Sequence, residues 1–319
     1  MSTGPDSIVV ALGGNAIARP GDDGTIGAQC RRADEALADV ADLACGGARI
    51  VLTHGNGPVV GNIVLRGELA SGQVPPMPLF IAGADSEGGI GLVLQQSLGN
   101  LLRDRACPRP VAAVVTQAVV DPDDPAFHRP TKPIGPYYGA EAAAELSRER
   151  GWKMVREDER GFRRVVASPR PLEVVESQVV ATLTDAGVIA IAAGGGGVPV
   201  WRNDEGHLIG IDAVIDKDWT SAVLAVALEV ETLAILMEAD AVYADWGTPD
   251  ARALRELTVA DAAELVASGS LSAGGIRPKV EAAMHFASHT GRDAIICAGG
   301  SLAAALAGDA GTRILGARD

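Results

Sequence analysis

Apolar residues along this chain come in short unbroken runs that end on glycine, and the runs alternate with longer alanine-rich stretches. "SIVVAL" (7–12) meets Gly13-Gly14-Asn15, and "ARIVLT" (48–53) meets "HGNGP". "PVAAVVTQAVV" (110–120) meets "DPDDP", and "GVIAIAA" (187–193) meets Gly194-Gly195-Gly196-Gly197. "TLAILM" (232–237) and "DAIICAGG" (293–300) repeat the form. A strand with one wet face alternates apolar and polar positions, whereas an unbroken run marks a strand covered on both faces. The stretches between, at 29–45, 91–106, 219–230 and 279–290, have helical length and composition. Strand, glycine turn and helix in repetition predict an α/β fold, a three-layer αβα sandwich around a largely parallel sheet.

Residues 121–171 break this rhythm. "DPDDPAFHRPTKPIGPYYG" is rich in proline and charge, a short helix follows, and "WKMVRED" and "FRRVVAS" joined through "ERG" predict a hairpin. Tyr137, Tyr138, Trp152 and Phe162 give the region apolar surface to pack. It reads as a small subdomain protruding from the sandwich, placed to act as a lid.

Composition narrows the function. The net charge is −14 and the pI about 4.8, which argues against nucleic acid as a partner. An anionic substrate would have to be captured by a few local cations and backbone N–H groups. No run of about 18 apolar residues suggests a membrane span, and the N-terminus lacks the basic and apolar regions of a signal peptide. Cys30, Cys45, Cys107 and Cys297 are scattered without C-x-x-C spacing, so free thiols in a reducing cytoplasm are expected and disulfides are not. The five histidines show no metal-binding spacing.

Three glycine-rich turns, "GGNA" (13–16), "HGNGP" (54–58) and "GGGG" (194–197), follow predicted strands. Each is compatible with a plain strand-to-helix connection, but at one end of a parallel sheet they would converge on one crevice and offer N–H groups to an oxyanion. The lysines sharpen this. Lys and Arg number 27, yet the lysines are four: Lys132, Lys153, Lys217 and Lys279. Lys132 lies between prolines in "PTKPIGP", Lys217 between aspartates in "VIDKDWTS", and Lys279 after Pro278 in "GGIRPKVEAA". Lys153 sits on the expected hairpin and reads as a solvated charge. A lysine is a compact point charge, where an arginine is a broad planar fork. In a chain that otherwise uses arginine, lysines at turns mark places where only the compact cation fits. Phosphoryl transfer has that requirement. Asp216 and Asp218 suit it too, by holding ammonium groups or binding Mg²⁺. The plainer alternative for "DKD" is a helix N-cap by Asp218, and the two readings are compatible.

"VVALGGNAI", "THGNGPVVGN", "VVTQAVVDPDDPAFHRPTKPIGPYY", "GGGGVPV", "AVIDKDWTS" and "RPKVEAA" occur in this order, and together they resemble the carbamate kinase family of the amino acid kinase superfamily. The resemblance covers nearly the whole chain. It implies an acceptor-binding half (1–205, with the lid at 121–171) and a nucleotide-binding half (206–319) using ATP/ADP with Mg²⁺ carried by the nucleotide. Gly13, Gly14, Asn15, Gly55, Asn56 and Gly57 fall on the turns that hold the acceptor and the transferring group. Lys132, Lys217 and Lys279 fall on the lysines that contact phosphate, and Asp218 on the aspartate that orients them. Gly194, Gly195, Gly196, Asp216, Gly274 and Gly275 fall on the nucleotide side, with Tyr243 and Trp246 offering faces for adenine. A homodimer is implied as well.

One segment departs from the family. Its usual Met-Thr-Gln-Gly-x-Ile-Gly-Tyr is "DSEGGIGL" (85–92) here, which puts Glu87 in place of the glutamine and adds Asp85. Two carboxylates beside an anionic acceptor would oppose its binding. Either the segment faces away from the pocket, into a subunit contact for instance, or the acceptor is a different small acid. A non-catalytic nucleotide or metabolite sensor is the third possibility, and the retained turn lysines speak against it.

Overall fold

The computed structural model describes residues 4–14, 17, 24–70, 72–271 and 275–317. At its centre is an eight-stranded sheet. Across it run β15 (Glu256–Thr258), β17 (Thr312–Leu315), β16 (Ala294–Ala298), β12 (Thr232–Met237), β1 (Ser7–Leu12), β2 (Arg49–His54), β9 (Ile189–Ile191) and β3 (Val111–Ala113). Among the described residues β16–β17 is the one antiparallel pair in this sheet. All six residues of β1 are buried, as the unbroken run "SIVVAL" requires of a strand packed on both faces.

Helices cover the two faces. One face carries α1 (Ile26–Cys45), α3 (Leu79–Asp104) and α9 (Leu302–Ala307), whose Leu37, Leu94, Leu98 and Leu302 pack on Ile8, Val10 and Ile50. The other carries α5 (Ser177–Asp185), α6 (Lys217–Ala227), α7 (Val259–Ala267) and α8 (Ile276–Thr290), where Leu224, Val280 and Phe286 meet Val9, Ala11 and Ile235. This is the expected three-layer αβα sandwich, with an aliphatic core and Phe286 its largest buried side chain.

The stretch 110–120 is two strands rather than one. β3 ends at Ala113 in the main sheet, and the chain crosses at 114–116 into a second, four-stranded sheet. That sheet runs in the order β11 (Leu208–Gly210), β10 (Val198–Arg202), β4 (Gln117–Val120), β8 (Pro171–Val174). A continuous apolar run cannot show that its two ends lie in different sheets. The helix read at 91–106 is the second half of α3, which starts at Leu79. Gly83, Gly88, Gly89 and Gly91 lower the helical propensity of its first half, and burial of Ala82, Ser86, Glu87 and Ile90 overrides that. A short antiparallel pair, β13 (Val242–Ala244) and β14 (Arg252–Leu254), follows β12.

The lid has the expected hairpin. β6 (Met154–Asp158) and β7 (Gly161–Val166) pair antiparallel, and β5 (Lys132–Tyr138) joins β7. α4 (Ala140–Arg150) lies beside them, and α2 (Gly57–Leu69) supports β5 from below. The seat is tight, because a Cβ on Gly61 of α2 would stand 2.1 Å from Gly135 Cα of β5. Arg150 at the end of α4 pairs with Glu68 of α2.

The cysteine reading needs correction. Cys45, the last residue of α1, is disulfide-bonded to Cys107 just beyond α3, with their Cα atoms 5.7 Å apart. α1 and α3 pack side by side, so residues 62 apart in the chain meet, and no local spacing could reveal the pair. Cys30 and Cys297 are free, and burial pushes the Cys297 thiol up to about 12.

Candidate active site

The carboxyl ends of β1, β2 and β9 open onto a cleft of about 630 Å³ between the sandwich and the lid. α6 begins there. Asp216 is its N-cap, its Oδ1 accepting the Asp218 N–H at 3.0 Å. The cap is therefore Asp216 and not Asp218, which frees the Asp218 carboxylate for the cleft. Buried hydroxyls lock this helix start in place. The Ser221 hydroxyl donates to the Lys217 carbonyl at 2.6 Å, and Thr53 at the end of β2 lies 2.6 Å from it. The Thr220 hydroxyl donates to the Gly196 carbonyl at 2.8 Å, tying α6 to the glycine turn.

Three of the four lysines converge on this point. Lys217 donates to Asp218 Oδ1, and Lys279 of α8 donates to Asp218 Oδ2 at 2.6 Å. Lys132, at the start of the lid strand β5, reaches across to Asp216 Oδ2 at 2.7 Å. Burial alone would raise the Asp218 carboxyl, but the Lys217 and Lys279 charges and hydrogen bonds outweigh it and hold the group well below the usual carboxylate range. Asp216 is lowered in the same way, against its burial, chiefly by Lys132. Burial pushes Lys217 down despite Asp218, whereas for Lys279 the pull of Asp218 outweighs burial and raises it. Three cations against two carboxylates leave a surplus positive charge in the cleft of a protein whose net charge is −14.

Glycines bring the backbone close. A Cβ on Gly55 would sit 3.1 Å from Gly14 N and 3.4 Å from Lys217 Cδ, so the first two turns and the lysine stem are in contact. A Cβ on Gly195 would fall 2.1 Å from Asn56 Nδ2, which packs the third turn onto the second. Gly14, Gly55, Asn56, Gly57, Gly195 and Gly275 line the cleft with the lysines and aspartates. Gly13 lies behind the wall beside Leu236, and Gly194 and Gly196 are the buried flanks of Gly195. Asn15 and Gly274 lie outside the described residues. Tyr243 and Trp246 face each other at 5.0 Å on and after β13 and do not line the cleft.

Three residues that the sequence did not single out belong to the cleft or its wall. Arg170, from "SPRP" at the foot of the lid, stacks 3.5 Å above the Trp219 ring and donates to Glu281 of α8 at 2.9 Å. Its signal was an arginine between prolines, which a search keyed to lysines passes over. Trp219 follows Asp218 directly in α6. His54, at the end of β2, is buried, and burial lowers its imidazole to about 4 despite the hydrogen bond to the Gly55 carbonyl, so the ring is neutral at physiological pH.

Glu87 does not line the cleft. It is buried in the middle of α3, its Oε2 accepting the Thr116 N–H at 2.7 Å. Asp85 lies on the exposed outer side of the same helix. The carboxylates of 85–92 therefore do not face an acceptor across the cleft.

Residues 6–298 match the amino acid kinase family. The carbamate kinase of Trichomonas vaginalis is 40% identical over 310 residues, covering 97% of this chain and 99% of that protein. The carbamate kinase of Pyrococcus horikoshii is 39% identical over 314 residues, with the same coverage. Among solved structures, carbamate kinase from Giardia lamblia bound to citric acid superposes with a TM-score of 0.92 at 37% identity, covering 99% of this chain and all of that one. The same enzyme bound to AMP-PNP gives 0.90. The fold, the lysine–aspartate cluster and these likenesses agree, and the chain belongs to the carbamate kinase group of the amino acid kinase family.

Proposed function

We propose that this protein interconverts ATP plus carbamate with ADP plus carbamoyl phosphate. The observation that carries the reading is the convergence of Lys132, Lys217 and Lys279 on one cleft through Asp216 and Asp218. In phosphoryl transfer the protein makes no bond to the moving group. It aligns attacking and leaving oxygens and neutralises the charge on them. Asp218 presets two ammonium groups at one depth, so no reorganisation is needed when phosphate arrives. Lys132 comes from the lid and adds the third cation from above.

The acceptor would lie on the turns of the first half (1–205), at Gly14 and Gly55–Gly57, and the nucleotide against the second half (206–319) and Gly195. Mg²⁺ fits as cargo of the nucleotide. Asp216 and Asp218 already hold lysines, and no trio of His, Cys, Asp or Glu among the described residues is placed to hold a metal. When bound, the ion neutralises phosphate oxygens and helps to align them. The position of Glu87 removes the sequence-level reason to look for a different acceptor. No helix among the described residues is long and apolar enough to cross a membrane. Pairing of two copies fits the outer side of α3, where Ile81 and Leu92 are exposed.

The test supplies carbamoyl phosphate and Mg-ADP and measures ATP. Robust ATP formation is expected. No ATP from folded protein that binds AMP-PNP would overturn the reading.

A further inference from the structure

Glu87 is a buried carboxyl group that the reaction as described does not use. Burying such a group is costly unless its position secures something an apolar side chain could not. Its partner shows what that is. Thr116 stands where the chain leaves the main sheet for the second one, and it holds both ends of the glycine turn. Its hydroxyl accepts the Ala193 N–H at 2.6 Å, and its carbonyl accepts the Val198 N–H at 2.8 Å. Glu87 Oε2 in turn accepts the Thr116 N–H at 2.7 Å, and both carboxyl oxygens lie 3.4 Å from the Thr116 hydroxyl.

The turn between those anchors is one the backbone does not adopt freely. Ala193 has φ 49°, a left-handed conformation that an alanine resists, and Gly195, Gly196 and Gly197 have φ 63°, 96° and 82°. Such a run persists only when its surroundings dictate it. Glu87 contributes directly as well. A Cβ on Gly194 would stand 3.0 Å from Glu87 Cγ and 2.4 Å from His54 Nε2, so the turn rests on both side chains. Its outward face at Gly195 is the part that lines the cleft.

We propose that Glu87 is a positioning residue for the nucleotide phosphates: through Thr116 it fixes the Ala193–Gly197 turn from behind, without touching substrate. The inference rests on the kinase reading only for what the turn holds. Burial raises the Glu87 carboxyl well above the usual carboxylate range against the pull of the Thr116 hydrogen bonds, and nearby Glu176 pushes the same way. A glutamine keeps the oxygen that accepts the Thr116 N–H and should serve equally well.

The experiment measures AMP-PNP·Mg affinity by calorimetry, which needs no acceptor, together with melting temperature and ATP formation. Glu87→Leu and Thr116→Val are expected to weaken AMP-PNP about tenfold and to slow transfer at least as much. Glu87→Gln and Thr116→Ser should stay within about twofold of the parent, and the double variant Glu87→Leu/Thr116→Val should be no weaker than the worse single one. If Glu87→Leu fails to fold, the Thr116→Val and Thr116→Ser pair decides alone. A lower melting temperature with unchanged AMP-PNP affinity in the Leu and Val variants would overturn the proposal, as would a Glu87→Gln variant as weak as Glu87→Leu. If the parent makes no ATP from carbamoyl phosphate, the carbamate reading fails while the affinity comparison still tests the role of Glu87.

Discussion

The floor of the cleft and the lid above it both carry cations, but they hold them by different means. On the floor, Lys217 and Lys279 are buried or nearly so, and both are fixed to one carboxylate that is itself buried. Hydroxyls of Thr53, Thr220 and Ser221 lock the helix that carries them. In the lid, arginines lie over aromatic faces, Arg160 and Arg163 over Tyr137 and Arg164 over Trp152, with Arg163 also paired to Glu157 at 3.1 Å. Burial lowers Arg164 even with Asp212 nearby, but the group remains an arginine held by stacking rather than by a carboxylate in contact. The lid meets the body through an apolar seat, where Ile134 and Val166 pack with Val60, Leu79, Ala82 and Val214, through Gly61 against Gly135, and through the polar pairs Arg150 with Glu68, Lys132 with Asp216, and Arg170 with Glu281. A floor locked in advance suits electrostatic stabilisation, which works best when nothing must move. A lid seated on α2 by apolar packing, with Lys132 at the start of β5, suits delivery of one last cation and exclusion of water.

The largest expected effect comes from disturbing the floor. Lys217→Arg keeps the charge but must fit a guanidinium where the lysine stem already lies 3.4 Å from the position of a Gly55 Cβ. We expect a loss of about 2–4 kcal/mol of barrier stabilisation, roughly 30- to 1000-fold in kcat, with little change in melting temperature. Near-normal kcat would show that the floor tolerates a broad cation and that lysine scarcity carries no meaning.

Breaking the seat of the lid should cost less. Gly61→Ala would put a methyl 2.1 Å from Gly135 Cα, and backbone cannot yield as a side-chain tip can. Strand β5 must then lift, carrying Lys132 away from Asp216. Transfer is expected to fall roughly 10- to 100-fold while AMP-PNP affinity stays near normal. Equal losses in both would mean that the lid and floor act as one body.

A separate effect, on stability rather than on transfer, reports burial of the floor in acid. The folded-state value of His54, about 4, lies below the ordinary 6.5, so the unfolded chain takes up this proton first as pH falls. Stability attributable to His54 is fully kept above pH 6.5 and is lost on the way down to pH 4, by about 3 kcal/mol in all. The Glu87 carboxyl is raised, so it contributes the opposite slope above its ordinary value of 4.5. The difference between the parent and His54→Gln in urea titrations isolates the histidine. An identical pH slope in the two would show the imidazole to be solvated.

Much of the floor was legible in the sequence because it is built from local signals. An apolar run ending on glycine fixes where a parallel strand meets the cleft, and a lysine at a turn in a lysine-poor chain stands out. Lys132, Lys217 and Lys279 were found this way, and the structure places them together. What was not legible depends on contacts between distant segments. The Cys45–Cys107 pair needs α1 beside α3, and the break at Thr116 needs two sheets. Arg170 was hidden because only its stacking on Trp219 and its bond to Glu281 distinguish it from the other arginines. For Glu87 the sequence leaves open whether the segment faces the acceptor or points away from the pocket, because spacing cannot tell the cleft side of a turn from the back.

That the lid delivers the last cation for transfer to a floor that already binds nucleotide without it is tested most directly with Lys132→Met. AMP-PNP affinity and single-turnover ATP formation from carbamoyl phosphate are measured on the same preparation. AMP-PNP affinity within about threefold of the parent is expected, with transfer slowed roughly 100- to 1000-fold. Transfer near the parent rate, or affinity lost in step with transfer, would contradict the account.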